Sequence, residues 1–242
     1  MASARPRIRA ILFDLGGTLV REPDFARWVE EARRLDLSVR PDRLPPAYVE
    51  VLVEVNAEGG PQGTGALATD FWQRVLSRTV QANVPRLIAT KFVAACGEGS
   101  APVLIYPDAH GCLGQLRTDR RSLGVISNST NEEIVRLVLS WAGILDFFDC
   151  IVSSGTEGVE KPDPEIFLRT VRRMGLRPAE ALYVGNQPFT DAVAAQSAGL
   201  YGVWLNRGEA THSTTPPEIT SLLQIPACVR RIELGLLPVS SD

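Results

Sequence analysis

Four short stretches of the chain carry side chains able to do chemistry. "ILFDLGGTLV" (11–20) places one carboxylate, Asp14, at the end of an apolar run and follows it with Gly16, Gly17 and Thr18. "GVISNS" (124–129) contains Ser127 and Asn128, "EKPDPEIF" (160–167) holds Lys161, and "YVGNQPFTD" (183–191) supplies Asn186 and Asp191. Taken singly, each has a plain structural reading: Asp14 a turn or helix-capping carboxylate, Ser127 a turn hydroxyl, Lys161 a solvated charge, Asp191 a helix residue. Gathered in one place, carboxylates, an ammonium, a hydroxyl and amides make a set that binds anions and divalent cations.

The rhythm of the chain is what would gather them. From residue 103 onward, strand-like runs at 122–127, 149–154, 181–185 and 201–205 alternate with amphipathic stretches of helical length. Such βαβ alternation predicts an α/β fold, a Rossmann-like doubly wound parallel sheet covered on both faces. Ligands of these sheets collect beyond the carboxyl ends of the strands. That rule puts Asp14, Ser127 with Asn128, Lys161, and Asn186 with Asp191 on one rim, each after a different strand. Helix signals agree: Ser129-x-x-Glu132 reads as a capping box, and Asp163-Pro164 opens a helix that closes on Gly175.

Residues 22 to 100 break the rhythm. "FARWVEEARRLDL", "PPAYVEVLVEVNAE", "FWQRVLSRTVQAN" and "PRLIATKFVAAC" have helical periodicity with no comparable strand between them, and "GGPQGTGA" (59–66) reads as a loop. The expected organisation is a core of residues 1–21 and 101–242 with a helical cap, 22–100, inserted after the first strand. Beyond Arg207 the chain has a loop and room for one last strand and helix. The aromatics Trp28, Tyr48, Phe71 and Trp72 sit at spacings that suit a helix-packing core and a pocket lining equally.

Composition narrows the function. The 242 residues are 45% hydrophobic with a formal net charge of −3 and no basic run, which argues against nucleic acid as partner. No stretch approaches a membrane span, and the apolar run near the start is too short for a secretory signal, so a cytoplasmic location is expected. Cys96, Cys112, Cys150 and Cys228 show no C-x-x-C pairing and read as free core thiols. With only His110 and His212, a histidine-rich metal site is excluded. Of 25 basic residues only Lys91 and Lys161 are lysines, and one of them lies in a motif.

The four stretches "FDLGGTLV", "GVISNS", "EKPDPEIF" and "YVGNQPFTDAVAAQSAG" resemble, in order and spacing, the motifs of the haloacid dehalogenase superfamily, hydrolases that are mostly magnesium-dependent phosphatases. The resemblance implies Asp14 as nucleophile through an aspartyl-phosphate, with Mg2+ resting on Asp14, the backbone carbonyl of Gly16, and Asn186 or Asp191. It implies Lys161 between the Asp14 carboxylate and a phosphoryl oxygen, a task for a point charge rather than a planar fork. Thr18, Ser127, Asn128 and Lys161 are the implied substrate-binding side chains of a small phosphorylated metabolite.

Two positions depart from the family pattern. Phosphatases of the family carry a second aspartate two residues after the nucleophile, to protonate the leaving group, and Gly16 stands there; Glu22 or Asp24 of the cap is a candidate replacement. Asn186 stands where the family has a metal-binding aspartate, which removes one formal charge. The alternatives are therefore a 2-haloacid dehalogenase, whose halide leaves without a proton, and a low-activity binding scaffold. A phosphonate-cleaving enzyme needs a cap lysine, and only Lys91 is available.

Overall fold

The computed structural model describes residues 7–59, 66–208 and 216–236; most of the loop expected at 59–66, the start of the loop after Arg207, and His212 lie outside the described residues. Six strands, β1 (Ala10–Phe13), β2 (Ser122–Ser127), β3 (Cys150–Ser153), β4 (Ala181–Gly185), β5 (Tyr201–Leu205) and β6 (Glu218–Ile219), form one sheet in the order β3-β2-β1-β4-β5-β6. Every pairing is parallel. The sequences AILF, ALYVG and YGVWL are buried along their whole length, as strands covered on both faces must be. The fold is the expected Rossmann-like α/β sheet; the third predicted strand is shorter by one residue at each end.

Along the chain the helices are α1 (Phe25–Arg34), α2 (Leu44–Ala57), α3 (Ala66–Val80), α4 (Arg86–Cys96), α5 (Ala109–Thr118), α6 (Glu132–Trp141), α7 (Ser154–Glu157), α8 (Pro164–Arg173), α9 (Ala194–Ser197) and α10 (Ile225–Glu233). The late strand and helix after Arg207 are thus β6 and α10. Asp163 opens α8 by accepting the Glu165 N–H at 2.9 Å, and Gly175, at φ 67°, follows its end. The Ser129 capping box does not form. Asn131 caps α6 instead, its Oδ1 accepting the Ile134 N–H at 2.9 Å, while the Ser129 carbonyl accepts the Gly155 N–H at 2.9 Å in a loop-to-loop bond.

Two compact units divide the chain. One comprises the residues up to Arg21, Ile105–Leu139 and those from Gly143 onward; the other comprises Glu22–Leu104 with Ser140–Ala142. Val20 pairs antiparallel with Ile105, so the sheet-bearing unit is left and re-entered at adjacent points. In the helical unit Trp28, Tyr48, Phe71 and Trp72 are all buried, with Trp28 and Trp72 ring centroids 4.6 Å apart. Their polar tips are satisfied by one segment. Trp28 Nε1 donates to the Gly99 carbonyl at 3.0 Å, Trp72 Nε1 to Ser100 at 2.6 Å, and the Tyr48 hydroxyl to Pro102. These four aromatics are core. Asp24 caps α1, accepting the Arg27 N–H at 3.0 Å.

Register sets the rim. Phe13 lies opposite Val125 on one side and Val184 on the other, so the residues just past β1, β2 and β4 end at neighbouring levels. β1 is also where strand order turns, with β2 and β3 to one side and β4, β5 and β6 to the other. The four cysteines are free and buried. Among the described residues no helix is long and apolar enough to cross a membrane.

Candidate active site

Asp14 is the first residue past β1. Its N–H donates to the Val184 carbonyl at 2.9 Å, which continues the β1–β4 ladder and fixes the backbone that carries the carboxylate. Asp14 Oδ1 accepts from Lys161 Nζ at 2.7 Å, and Oδ2 accepts from the Thr18 hydroxyl at 3.1 Å. The turn that brings Thr18 back is tight: Gly17 N–H donates to the Val20 carbonyl at 2.8 Å, and Leu19 N–H to Leu15 at 2.9 Å. Gly17 takes φ 75°, whereas Gly16 is not among the left-handed residues. Conformation therefore accounts for the second glycine and leaves the first unexplained by the turn.

Lys161 is buried in the loop before α8 and held by its backbone as well as its ammonium. The Asn128 amide pairs reciprocally with that backbone, Nδ2 donating to the Lys161 carbonyl at 2.9 Å and Oδ1 accepting the Lys161 N–H at 2.9 Å. Both polar ends of Asn128 are thus engaged by Lys161. The ammonium donates to Asp14 Oδ1 at 2.7 Å, to Asp191 Oδ1 at 2.7 Å and to the Tyr183 hydroxyl at 2.9 Å.

Asp191 lies in a π-helical turn, Pro188–Val193, that follows β4. Its Oδ1 also receives the Tyr183 hydroxyl at 3.2 Å, and its Oδ2 accepts the Gln187 N–H at 3.0 Å. Neither oxygen is without a protein donor. Gly185 makes room for it: a Cβ there would lie 2.3 Å from Asp191 Oδ2. The neighbouring motif residue faces the other way. Asn186 packs where a Gly17 Cβ would sit, 2.3 Å from its Nδ2, and its Oδ1 is 3.5 Å from the Thr18 hydroxyl. The Asn186 carbonyl is fixed by Trp204 Nε1 at 3.0 Å.

Burial dominates the electrostatics. It pushes the Asp14 carboxyl above its ordinary value, the Asp191 charge adds to the rise, and Lys161 only partly reverses it. Burial also draws the Lys161 ammonium down, but the charges of Asp14 and Asp191 and their hydrogen bonds outweigh it and hold the pKa above its usual value. Burial first, then the two carboxylates, drives the Tyr183 phenol well above its usual value, so it stays protonated.

The sequence-predicted residues fall into two groups on this rim. Asp14, Lys161, Asp191 and Asn128 form one bonded set; Thr18 adjoins it through Asp14 Oδ2, and Asn186 adjoins Thr18. Ser127 ends β2, buried, and its hydroxyl has no hydrogen-bond partner among the described residues. Sequence reasoning missed Tyr183, Gly17 and Gly185 as parts of the site. The available signal for Tyr183 was a hydroxyl in an otherwise apolar strand, which burial obliges to find a partner.

Asp14 Oδ2 and Asn186 Oδ1 accept from the Thr18 hydroxyl at 3.1 and 3.5 Å, and the Gly16 carbonyl accepts no hydrogen bond among the described residues; these are the oxygens that would hold a metal. One carboxylate with neutral oxygens suits magnesium, which keeps several of its waters. Both Asp191 oxygens accept protein hydrogen bonds, Oδ1 from Lys161 and Tyr183 and Oδ2 from Gln187. Among the described residues no cluster of three His, Cys, Asp or Glu side chains forms a harder-charged cage.

Comparison with known proteins matches this architecture. Residues 8–199 fit the family model of haloacid dehalogenase-like hydrolases. A glyceraldehyde 3-phosphate phosphatase of Methanopyrus kandleri is 32% identical over 212 residues, 84% of this chain and 85% of that protein. A phosphoserine phosphatase of Thermus thermophilus is 29% identical over 209 residues, 84% of this chain and 83% of that protein. Among solved structures, a 2-haloacid dehalogenase from Pseudomonas syringae superposes with TM-score 0.56 at 25% identity, covering 93% of this chain and 99% of the other. The chain belongs to the haloacid dehalogenase-like hydrolases.

Proposed function

We propose that this hydrolase cleaves the phosphate monoester of a small metabolite with Asp14 as nucleophile. The observation that carries the reading is the Asp14 carboxylate at the β1 terminus with one oxygen 2.7 Å from a buried ammonium and the other 3.1 Å from Thr18. Relatives whose names specify glyceraldehyde 3-phosphate and phosphoserine support the substrate class.

An Asp14 oxygen forms a bond to phosphorus as the ester P–O bond breaks, and the leaving oxygen departs with the electron pair. Water then attacks the aspartyl phosphate at phosphorus, which frees inorganic phosphate and regenerates the carboxylate. Lys161 neutralises charge as the phosphoryl group approaches, and the Ser127 hydroxyl is free to donate to a second phosphoryl oxygen. Asp191 and Asn128 act on Lys161, one on its ammonium and one on its backbone. Magnesium, when bound, would rest on Asp14, the Gly16 carbonyl and Asn186, and supplies charge neutralisation between nucleophile and phosphate. At Gly16 the chain has no carboxyl to protonate the leaving oxygen. Asp24 serves α1 as its cap, which leaves the proton donor to other groups or to a leaving group that needs none.

The test is a panel of p-nitrophenyl phosphate, glyceraldehyde 3-phosphate, phosphoserine and 2-chloropropionate, each with magnesium and with EDTA, on wild type and Asp14→Asn. Phosphate release that requires magnesium and vanishes in Asp14→Asn is expected. Chloride release indifferent to EDTA would replace this reading with carbon–halogen hydrolysis.

A further inference from the structure

We propose that Tyr183 is a positioning residue for the reaction, the fixed leg of a tripod that holds the Lys161 ammonium while Asp14 is engaged with phosphorus. The proposal rests on the reading of Asp14 and Lys161 as the reacting pair. An ammonium has three N–H donors and no acceptor. All three are matched here by Asp14 Oδ1, Asp191 Oδ1 and the Tyr183 hydroxyl, at 2.7, 2.7 and 2.9 Å. The tripod is complete, so the direction of each N–H is determined.

Its legs are not equivalent. Asp14 lies beyond a strand end and Asp191 in a π-helical turn, but Tyr183 stands within β4, paired with Leu12 of β1 and Gly202 of β5. Its ring is fully buried and packs edge-on to Phe167, centroids 4.9 Å apart at 89°. Swinging the ring away would break the core beneath α8, where Ile166, Phe167 and Val171 pack with it. The phenolic proton also has acceptors of its own, Asp191 Oδ1 at 3.2 Å and the Ile126 carbonyl at 3.3 Å, so the oxygen presents its lone pairs to Lys161.

The chemistry gives this leg its purpose. When Asp14 becomes an acyl phosphate, its own carboxylate charge is lost and the charge moves to the phosphoryl oxygens, so the Asp14 leg changes while Asp191 and Tyr183 stay in place. With Asp191 alone the ammonium could rotate about a single contact. With both, it keeps its place for the attack of water, and Asp191 Oδ1 is itself held by the same hydroxyl. Loss of the phenol oxygen is therefore expected to lower turnover and leave substrate affinity nearly intact.

The experiment is Tyr183→Phe in the full chain, with p-nitrophenyl phosphate and magnesium as the assay. A fall in kcat of about 10- to 100-fold, the size of one charge-assisted hydrogen bond, with KM within about twofold is expected. A second readout is independent of turnover. The chain has two lysines, of which Lys91 is exposed, so 15N-lysine labelling gives one slowly exchanging ammonium signal for Lys161, assigned by its loss in Lys161→Arg. In Tyr183→Phe that signal should shift and exchange faster with water. An unchanged kcat overturns the proposal whatever the signal does, and so does a lowered kcat with an unchanged signal, since the tyrosine then acts by packing alone. If the wild type cleaves no aryl phosphate, the catalytic reading fails and the proposal with it, while the ammonium signal still reports whether Tyr183 holds Lys161.

Discussion

The guanidinium of Arg207 donates to the Thr18 carbonyl at 2.7 Å and is itself held by the Asp108 carboxylate at 3.0 Å. Its central carbon lies over the Tyr106 ring, 3.6 Å from the centroid. The loop after β5 thus clamps the turn whose hydroxyl touches Asp14. Asp108 is a junction, accepting also the Ser221 hydroxyl and the Leu222 N–H, each at 2.9 Å.

That junction makes stability depend on pH. Burial raises the Asp108 carboxyl, but hydrogen bonds from Arg207, Leu222 and Ser221 outweigh it and hold the pKa below the ordinary carboxylate range. A group so depressed stabilises the fold fully above its unfolded pKa and loses that contribution as pH falls through the folded one. Asp108→Asn should cost about 2 kcal/mol near pH 7, and the gap to wild type should shrink below about pH 4. Urea denaturation of both proteins from pH 7 to pH 3 is the measurement; a constant gap would mean the charge of Asp108 is immaterial.

Removing the ammonium leaves two buried carboxylates without their cation. Lys161→Ala should lower Tm by about 6–12 °C, from a cost of roughly 3 kcal/mol or more in a chain of this size. Lys161→Arg should keep part of that stability and still lose more than about a hundredfold in kcat, because a planar fork cannot meet three converging acceptors as an ammonium does. Thermal melts and steady-state assays decide it. An arginine variant within about tenfold of wild type would show that only the charge matters.

Gly16 predicts a dependence on the leaving group. Without a local acid the departing oxygen carries its charge unprotonated, so log kcat/KM should fall steeply as leaving-group pKa rises. Gly16→Asp should flatten the slope. The substitution is conformationally open, since the left-handed φ of 75° belongs to Gly17. A shallow slope in the wild type would indicate that another residue already donates the proton.

Gly185→Ala should displace the Asp191 carboxylate, which lies 2.3 Å from the new Cβ, and so disturb Lys161 without altering a charge. A loss of about 2–4 kcal/mol in stability and more than tenfold in kcat is expected. Gly114→Ala, in α5 with nothing within 4 Å of the added carbon, is the control and should stabilise by up to about 1 kcal/mol. Equal behaviour of the two variants would show that the space at Gly185 is not used.

The sheet was legible because buried parallel strands must be largely apolar along their length, as AILF, ALYVG and YGVWL are. The helical segment was legible from period alone. The capping of α6 was not: Ser129 and Asn131 are both good N-caps, and the choice between them is made by the tie of the Ser129 carbonyl to Gly155, a contact across 26 residues of chain. Spacing located Asp14, Lys161, Asn186 and Asp191 on one rim but not the direction of each side chain. That Asp191 turns to Lys161 and Asn186 to Thr18 depends on the π-helical winding after β4, which composition does not encode. Asn128 was placed correctly at the β2 end, yet its amide serves the Lys161 backbone.

Gly17 and Gly185 also change what a sequence signature for such a site should contain. Asn186 fills the volume that a Cβ on Gly17 would take, and Asp191 the volume that a Cβ on Gly185 would take. The informative units are therefore two interlocked pairs, Gly17 with Asn186 and Gly185 with Asp191, each consisting of a polar side chain and the hole that admits it. A search pattern that scores the pairs jointly would reject chains that keep the carboxylate but fill the hole, because in those chains the same letter points somewhere else.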